Sequence, residues 1–74
     1  MWAANIQLKS GKNVLVEDLQ SINKQSIVDS SVSKITKFDE FHLLHGQRLS
    51  FVGKSTIVTL LSDEIEYVEL NKYN

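Results

Sequence analysis

The sequence predicts a mainly β domain, built as a small barrel or a rolled antiparallel sheet. An N-terminal hairpin and a C-terminal meander are its main parts, with room for one short helix between them. Three observations predict this. Phe41 to Leu70 holds about half of the large apolar side chains, in four short runs rich in β-branched and aromatic residues. Polar turns separate those runs, and each run starts about eight residues after the last, a spacing that suits a sandwich or small barrel. A further pair of apolar runs flanks a glycine turn near the start of the chain. In 74 residues there is no internal repeat, low-complexity tract or Pro-rich linker, so the reading is one domain over residues 1–74.

Taken in order, Trp2 comes first, close to the terminus. An indole there is either a plug on the core or an exposed contact; the plug is preferred because so large an aromatic buries much area. Asn5 to Leu8, Lys9-Ser10-Gly11-Lys12 and Asn13 to Val16 form a strand, a turn and a return strand. Ile6 and Leu8 share one face, Val14 and Val16 one face of the return, and Gly11 supplies the turn conformation. Residues 17–38 are ambiguous. Asp18 is placed to cap a helical turn carrying Leu19 and Ile22, and Ser30 or Ser31 a second carrying Val32, Ile35 and Phe38. An extended, serine-rich connection is the competing reading. Ile27 and Val28 fit neither pattern.

The meander is read as Phe41–Leu44, Leu49–Val52, Thr56–Leu61 and Ile65–Leu70. Its turns are His45-Gly46-Gln47-Arg48, Gly53-Lys54-Ser55 and Ser62-Asp63-Glu64, with Gly46 and Gly53 free to take positive φ. Both faces of the last two strands are apolar under simple alternation. Ile57 and Leu61 oppose Val58 and Leu60, and Ile65 and Tyr67 oppose Val68 and Leu70. A strand with one wet face does not read this way. The expectation is a cover over the second face, supplied by the N-terminal half or by another copy of the chain.

Composition sets bounds. A chain this short is marginal without staples, and there is no Cys to form disulfides or thiolate metal sites. No stretch approaches the ~18 apolar residues of a membrane span and the start lacks secretory character, so the expected setting is cytoplasmic. Plentiful Lys, Asn, Ile and Ser with no Pro hint at a bacterial or phage origin. Net charge is −1, and Arg48 is the single arginine, a poor composition for phosphate recognition.

No group of residues carries a recognisable chemistry, and the chain reads as non-enzymatic with no cofactor and no evident small-molecule substrate. Gly53-Lys54-Ser55 resembles the tail of a phosphate loop, but Arg48 stands where the earlier glycine is needed; a hairpin turn explains it. His42 and His45 beside Asp39 and Glu40 have metal-ligand character, yet residues three apart on a strand point to opposite faces. A half-buried strand histidine and a solvated turn histidine is the simpler account. Asp63, Glu64, Glu66 and Glu69 read as a solvated strand edge that discourages unwanted pairing.

Ile6-Gln7-Leu8-Lys9-Ser10-Gly11-Lys12 and Glu64-Ile65-Glu66-Tyr67-Val68 resemble the first hairpin and last strand of an Sm-type small barrel. The family's RNA-contacting Asp-x-x-x-Asn has no counterpart after Val16, so the resemblance implies a fold and no function. The first functional expectation is a protein-interaction or assembly module that self-associates, with Trp2, Tyr67 and Leu70 as anchors. The alternative is a nucleic-acid-binding small barrel of OB or Sm character. There Lys9, Lys12 and Lys54 would meet phosphates while Phe41, Phe51 and Tyr67 stack bases.

Overall fold

The computed structural model describes residues 1–73 and contains seven strands. They are β1 (Trp2–Leu8), β2 (Asn13–Val16), β3 (Ser21–Ser26), β4 (Val32–Ile35), β5 (Gln47–Val52), β6 (Ile57–Leu61) and β7 (Ile65–Lys72). Short 3₁₀ turns cover Phe38–Glu40 and Ser62–Glu64. The fold is mainly β, with 55% of residues in strands. Two antiparallel sheets form, in the orders β2-β1-β7 and β4-β3-β5-β6. The sheets do not close into a barrel: β6 and β7 are consecutive, but the 3₁₀ turn between them carries the chain from one sheet to the other.

β1 and β2 form the expected hairpin, with Ile6 opposite Val14 and Ala4 opposite Val16. Gly11 takes φ +96°, and its N–H donates to the Leu8 carbonyl at 3.0 Å. The last strand does not extend the meander. It lies along the other side of β1, Trp2 opposite Lys72 and Ile6 opposite Val68. The two segments that carried the Sm-type resemblance are thus neighbours.

The register slips by one residue between Gln7 and Leu8, which face Tyr67 and Ile65. Glu66 is the extra residue of a β-bulge. A bulge shifts the phase of side-chain alternation. Ile65, Val68 and Leu70 therefore share the core face, while Glu66, Tyr67 and Glu69 are exposed. This corrects the expectation that Ile65 and Tyr67 share a face and that the closing strand is apolar on both sides. In β6, by contrast, Val58 and Leu60 turn inward while Ile57 and Leu61 stay exposed with no cover over them.

The middle of the chain is extended, and the helical turns expected around Leu19–Ile22 and Val32–Phe38 are absent apart from the turn Phe38–Glu40. Ile22 lies in β3 opposite Ile35 of β4 and Phe51 of β5. Asp18 (φ +50°) and Ser30 (φ +59°) sit in the left-handed region at corners instead of capping helices. At the β3–β4 tip the Asp29 carboxylate accepts the Ser31 N–H and Oγ–H, a local pattern that competes with helix formation. Phe41–Leu44 is not a strand either; it has no partner, although Phe41 and Leu43 pack on the core.

The core between the sheets comprises Ala4, Ile6, Val16, Leu19, Ile22, Phe38, Leu49, Phe51 and Ile65. Phe51 is fully buried and meets Phe41 edge-on at 6.3 Å. Trp2 is half-buried and edge-on to Phe38 at 5.7 Å, so it plugs the core. Gly53 does not take positive φ. It is buried where the end of β5 passes Val16 and Glu17, and close approach is what requires glycine there.

Candidate interaction surface

The residues expected to anchor a partner do not form one surface. Trp2 and Leu70 face the core, and Tyr67 stands on the opposite face of the same sheet, 47% exposed, beside Gln7. Its surroundings are polar: Asn13 Nδ2–H donates to Gln7 Oε1 at 3.0 Å, and Asn71 Nδ2–H donates to Glu69 Oε1 at 3.0 Å. This outer face offers amide and carboxylate groups with Leu15 as its apolar member.

Nor do Lys9, Lys12 and Lys54 converge. The first two lie in the β1–β2 turn, where the Lys9 N–H donates to the Glu64 carbonyl. Lys54 follows Gly53, which packs at the far end of β2. Phe51 is inaccessible, and Phe41 lies against it. The basic group that folding does assemble is a different one. Lys24, Lys34 and Lys37 line a cleft of about 350 Å³ together with Ile35, Thr36 and Glu40. No linear signal joins them; they meet at the cleft because β3 and β4 are neighbouring strands, with Lys24 opposite Ser33 and Lys34 opposite Asn23.

Among the described residues, no three His, Cys, Asp or Glu side chains gather as metal ligands. His42 is exposed in the link before β5, not half-buried on a strand. His45 Nδ1 lies 3.3 Å from Asp63 Oδ1, and that oxygen also accepts the Gly46 N–H at 3.3 Å. The Gly46 bond and then the His45 ring hold the Asp63 carboxyl below its ordinary range. Asp63 is thereby a clasp between the β5 entry and the 3₁₀ turn, separate from Glu66 and Glu69 on β7.

A second clasp involves Tyr73, which the sequence did not single out. Its Oη–H donates to Asp18 Oδ1 at 2.9 Å and accepts the Asp18 N–H at 3.2 Å, tying the end of β7 to the β2–β3 corner. The carboxylate as acceptor raises the phenol above its ordinary value, outweighing the opposing Asp18 N–H bond. A raised folded-state value means the contribution to stability is complete below the ordinary phenol range. It is lost as pH rises through the raised value. In Asp18→Asn, which tolerates the left-handed corner, the Tyr73 phenolate absorbance titrates at lower pH than in the wild type.

Each sheet ends in two open edges, which are β2 and β7 in one and β4 and β6 in the other. Open edges are normally protected by brevity, charge, Pro or a bulge. β2 and β4 have four residues each, and β4 carries Lys34. β7 carries Glu66, Glu69 and the bulge. β6 has none of these: Ser55 to Ser62 is an uncharged run, STIVTLLS. Nearby at the same end as Leu61 are the exposed Ile27, Val28 and Val32 of the β3–β4 tip, since Val32 pairs with Gln25, Gln25 with Arg48 and Arg48 with Leu61. No helix among the described residues is long and apolar enough to cross a membrane. The chain matches no family model, no curated protein and no solved structure.

Proposed function

We propose that this chain is a small non-catalytic protein-interaction or assembly module whose partner is a further copy of itself. The observation that carries the reading is the uncharged outer edge of the four-stranded sheet, with Ile57 and Leu61 uncovered beside it. Exposed apolar side chains along an open strand favour contact with another strand over solvation. A symmetric partner is the economical one, because a single surface then serves both sides. The His45–Asp63 pair, by contrast, is solvated and ties two turns together. Light scattering across a dilution series tests the proposal. The expected result is a mass that climbs from monomer toward an oligomer by high micromolar concentration; an unchanging monomer overturns it.

The cleft of Lys24, Lys34 and Lys37 supports a second reading, binding of single-stranded nucleic acid. Electrostatic binding of that kind weakens steeply with salt. No exposed aromatic lines the cleft to stack a base, and Glu40 stands within it. The assembly reading is therefore the stronger of the two.

A further inference from the structure

We infer that the chain forms a two-fold dimer by antiparallel pairing of β6 with β6 of a second copy, so that two four-stranded sheets become one continuous sheet. This rests on the self-association proposed above and names its surface and register.

Hydrogen-bond phase comes first. Antiparallel neighbours alternate between pairs that exchange N–H···O bonds and pairs that do not. The Ile27 N–H donates to the Gly46 carbonyl at 3.0 Å, one step beyond the pair Ser26 and Gln47. Following the register, Arg48, Ser50 and Val52 turn their backbone groups toward β3, and Leu49 and Phe51 turn theirs toward β6. Leu60 and Val58 receive those bonds. Ile57, Thr59 and Leu61 are left with N–H and C=O directed at the open edge. The Gly53 N–H bond to the Thr56 carbonyl at 2.7 Å gives the same phase from the turn end. Leu61 agrees, since its N–H reaches outward to Glu64 Oε1 at 3.4 Å.

The side chains are complementary to themselves in one register. With Thr59 opposite its own copy, Ile57 falls opposite Leu61, Val58 opposite Leu60, and Thr56 opposite Ser62. Ile57 (66% exposed) and Leu61 (37%) lie on the outer face, so each covers the other across the axis. Val58 and Leu60 continue the half-buried inner face through the seam. Thr59, Ile57 and Leu61 sit at the hydrogen-bonded positions, so all of their outward groups find partners at once. The Ile57 carbonyl of the second copy takes the place of Glu64 at the Leu61 N–H. No charge meets a like charge, because the run from Ser55 to Ser62 has none. The other edges fail this test: β7 would set glutamates and a bulge at its seam, and β2 and β4 are too short to form one.

Two variants and the wild-type mass decide the matter. The chain has no cysteine, so Thr59→Cys introduces a lone thiol at the axis. Cα atoms of a hydrogen-bonded pair stand about 5.5 Å apart, within disulfide range, and mild oxidation is expected to give a covalent dimer. Thr59→Lys sets two ammonium groups against each other, and the dimer dissociation constant is expected to rise about a hundredfold. Thr59 is exposed, so circular dichroism of the monomer is expected to stay unchanged. A wild type that remains monomeric overturns both this inference and the reading beneath it. A wild-type oligomer that persists in Thr59→Lys, with no cross-link in Thr59→Cys, overturns the β6 seam and leaves self-association standing.

Discussion

Gly53→Ala destabilises this domain more than any other glycine substitution, by about 3 kcal/mol, read as a fall in melting temperature of roughly 15 °C. A Cβ at position 53 would stand 2.7 Å from the Glu17 carbonyl oxygen, 2.9 Å from Val16 Cγ1 and 3.2 Å from the Thr56 carbonyl oxygen. Two of those three atoms are backbone and cannot swing aside as a side chain end can. Relief requires the end of β2 to part from the β5–β6 turn, where the two sheets meet. Moving them would also strain the bonds from Gln20 N–H to the Val52 carbonyl and from Gly53 N–H to the Thr56 carbonyl, each 2.7 Å. Gly46 is the control. A Cβ there meets nothing within 4 Å, and the cost of Gly46→Ala is only that of positive φ, about 1–2 kcal/mol. Thermal or urea unfolding of the two variants in parallel checks the order. If Gly46→Ala is the more damaging, the close-approach account of Gly53 is wrong.

Phe51→Ala is the second large effect, expected to cost about 3–5 kcal/mol. Its ring is fully buried, faces Ile22 on one neighbouring strand and Val58 on the other, and meets the Phe41 ring at 6.3 Å. Removing it leaves a void at the centre of the core. It also loosens the link Phe41–Leu44, which has no strand partner and packs on the core through Phe41 and Leu43. Domains of this size have little stability to spare, so far-ultraviolet circular dichroism is expected to show a mostly unfolded chain at 37 °C. Phe51 was also a candidate for stacking bases. A Phe51→Ala variant that stays folded would mean the ring is not a core residue and would reopen that role.

The sequence and the structure agree where a local rule is enough. The β1–β2 hairpin follows from Ile6, Leu8, Val14 and Val16 around Gly11, all within a dozen residues. β6 follows from a run of β-branched and aliphatic residues between two turns. The candidate site was less legible. Simple alternation pairs Ile65 with Tyr67 on one face, and one extra residue, Glu66, puts Ile65 on the core face with Val68 and Leu70 and leaves Tyr67 outside, while Trp2, on β1, packs against Phe38. Spacing by threes in Leu19–Ile22 and Val32–Ile35–Phe38 favoured helical turns; pairing of Ile22 with Phe51, far along the chain, favoured strands and prevailed. Nothing local marks Tyr73, because its partner Asp18 is 55 residues away.

By itself, then, the sequence determined a small, mainly β fold, its opening hairpin and its uncharged sixth strand. Tertiary structure alone decided that the last strand joins the first, that Glu66 bulges out, that Gly53 lies against Glu17, and that Lys24, Lys34 and Lys37 share a cleft. Residue type and alternation act over a few neighbours and fix what each segment is. Which segments meet, and in what phase, depends on packing between residues that chain order keeps apart.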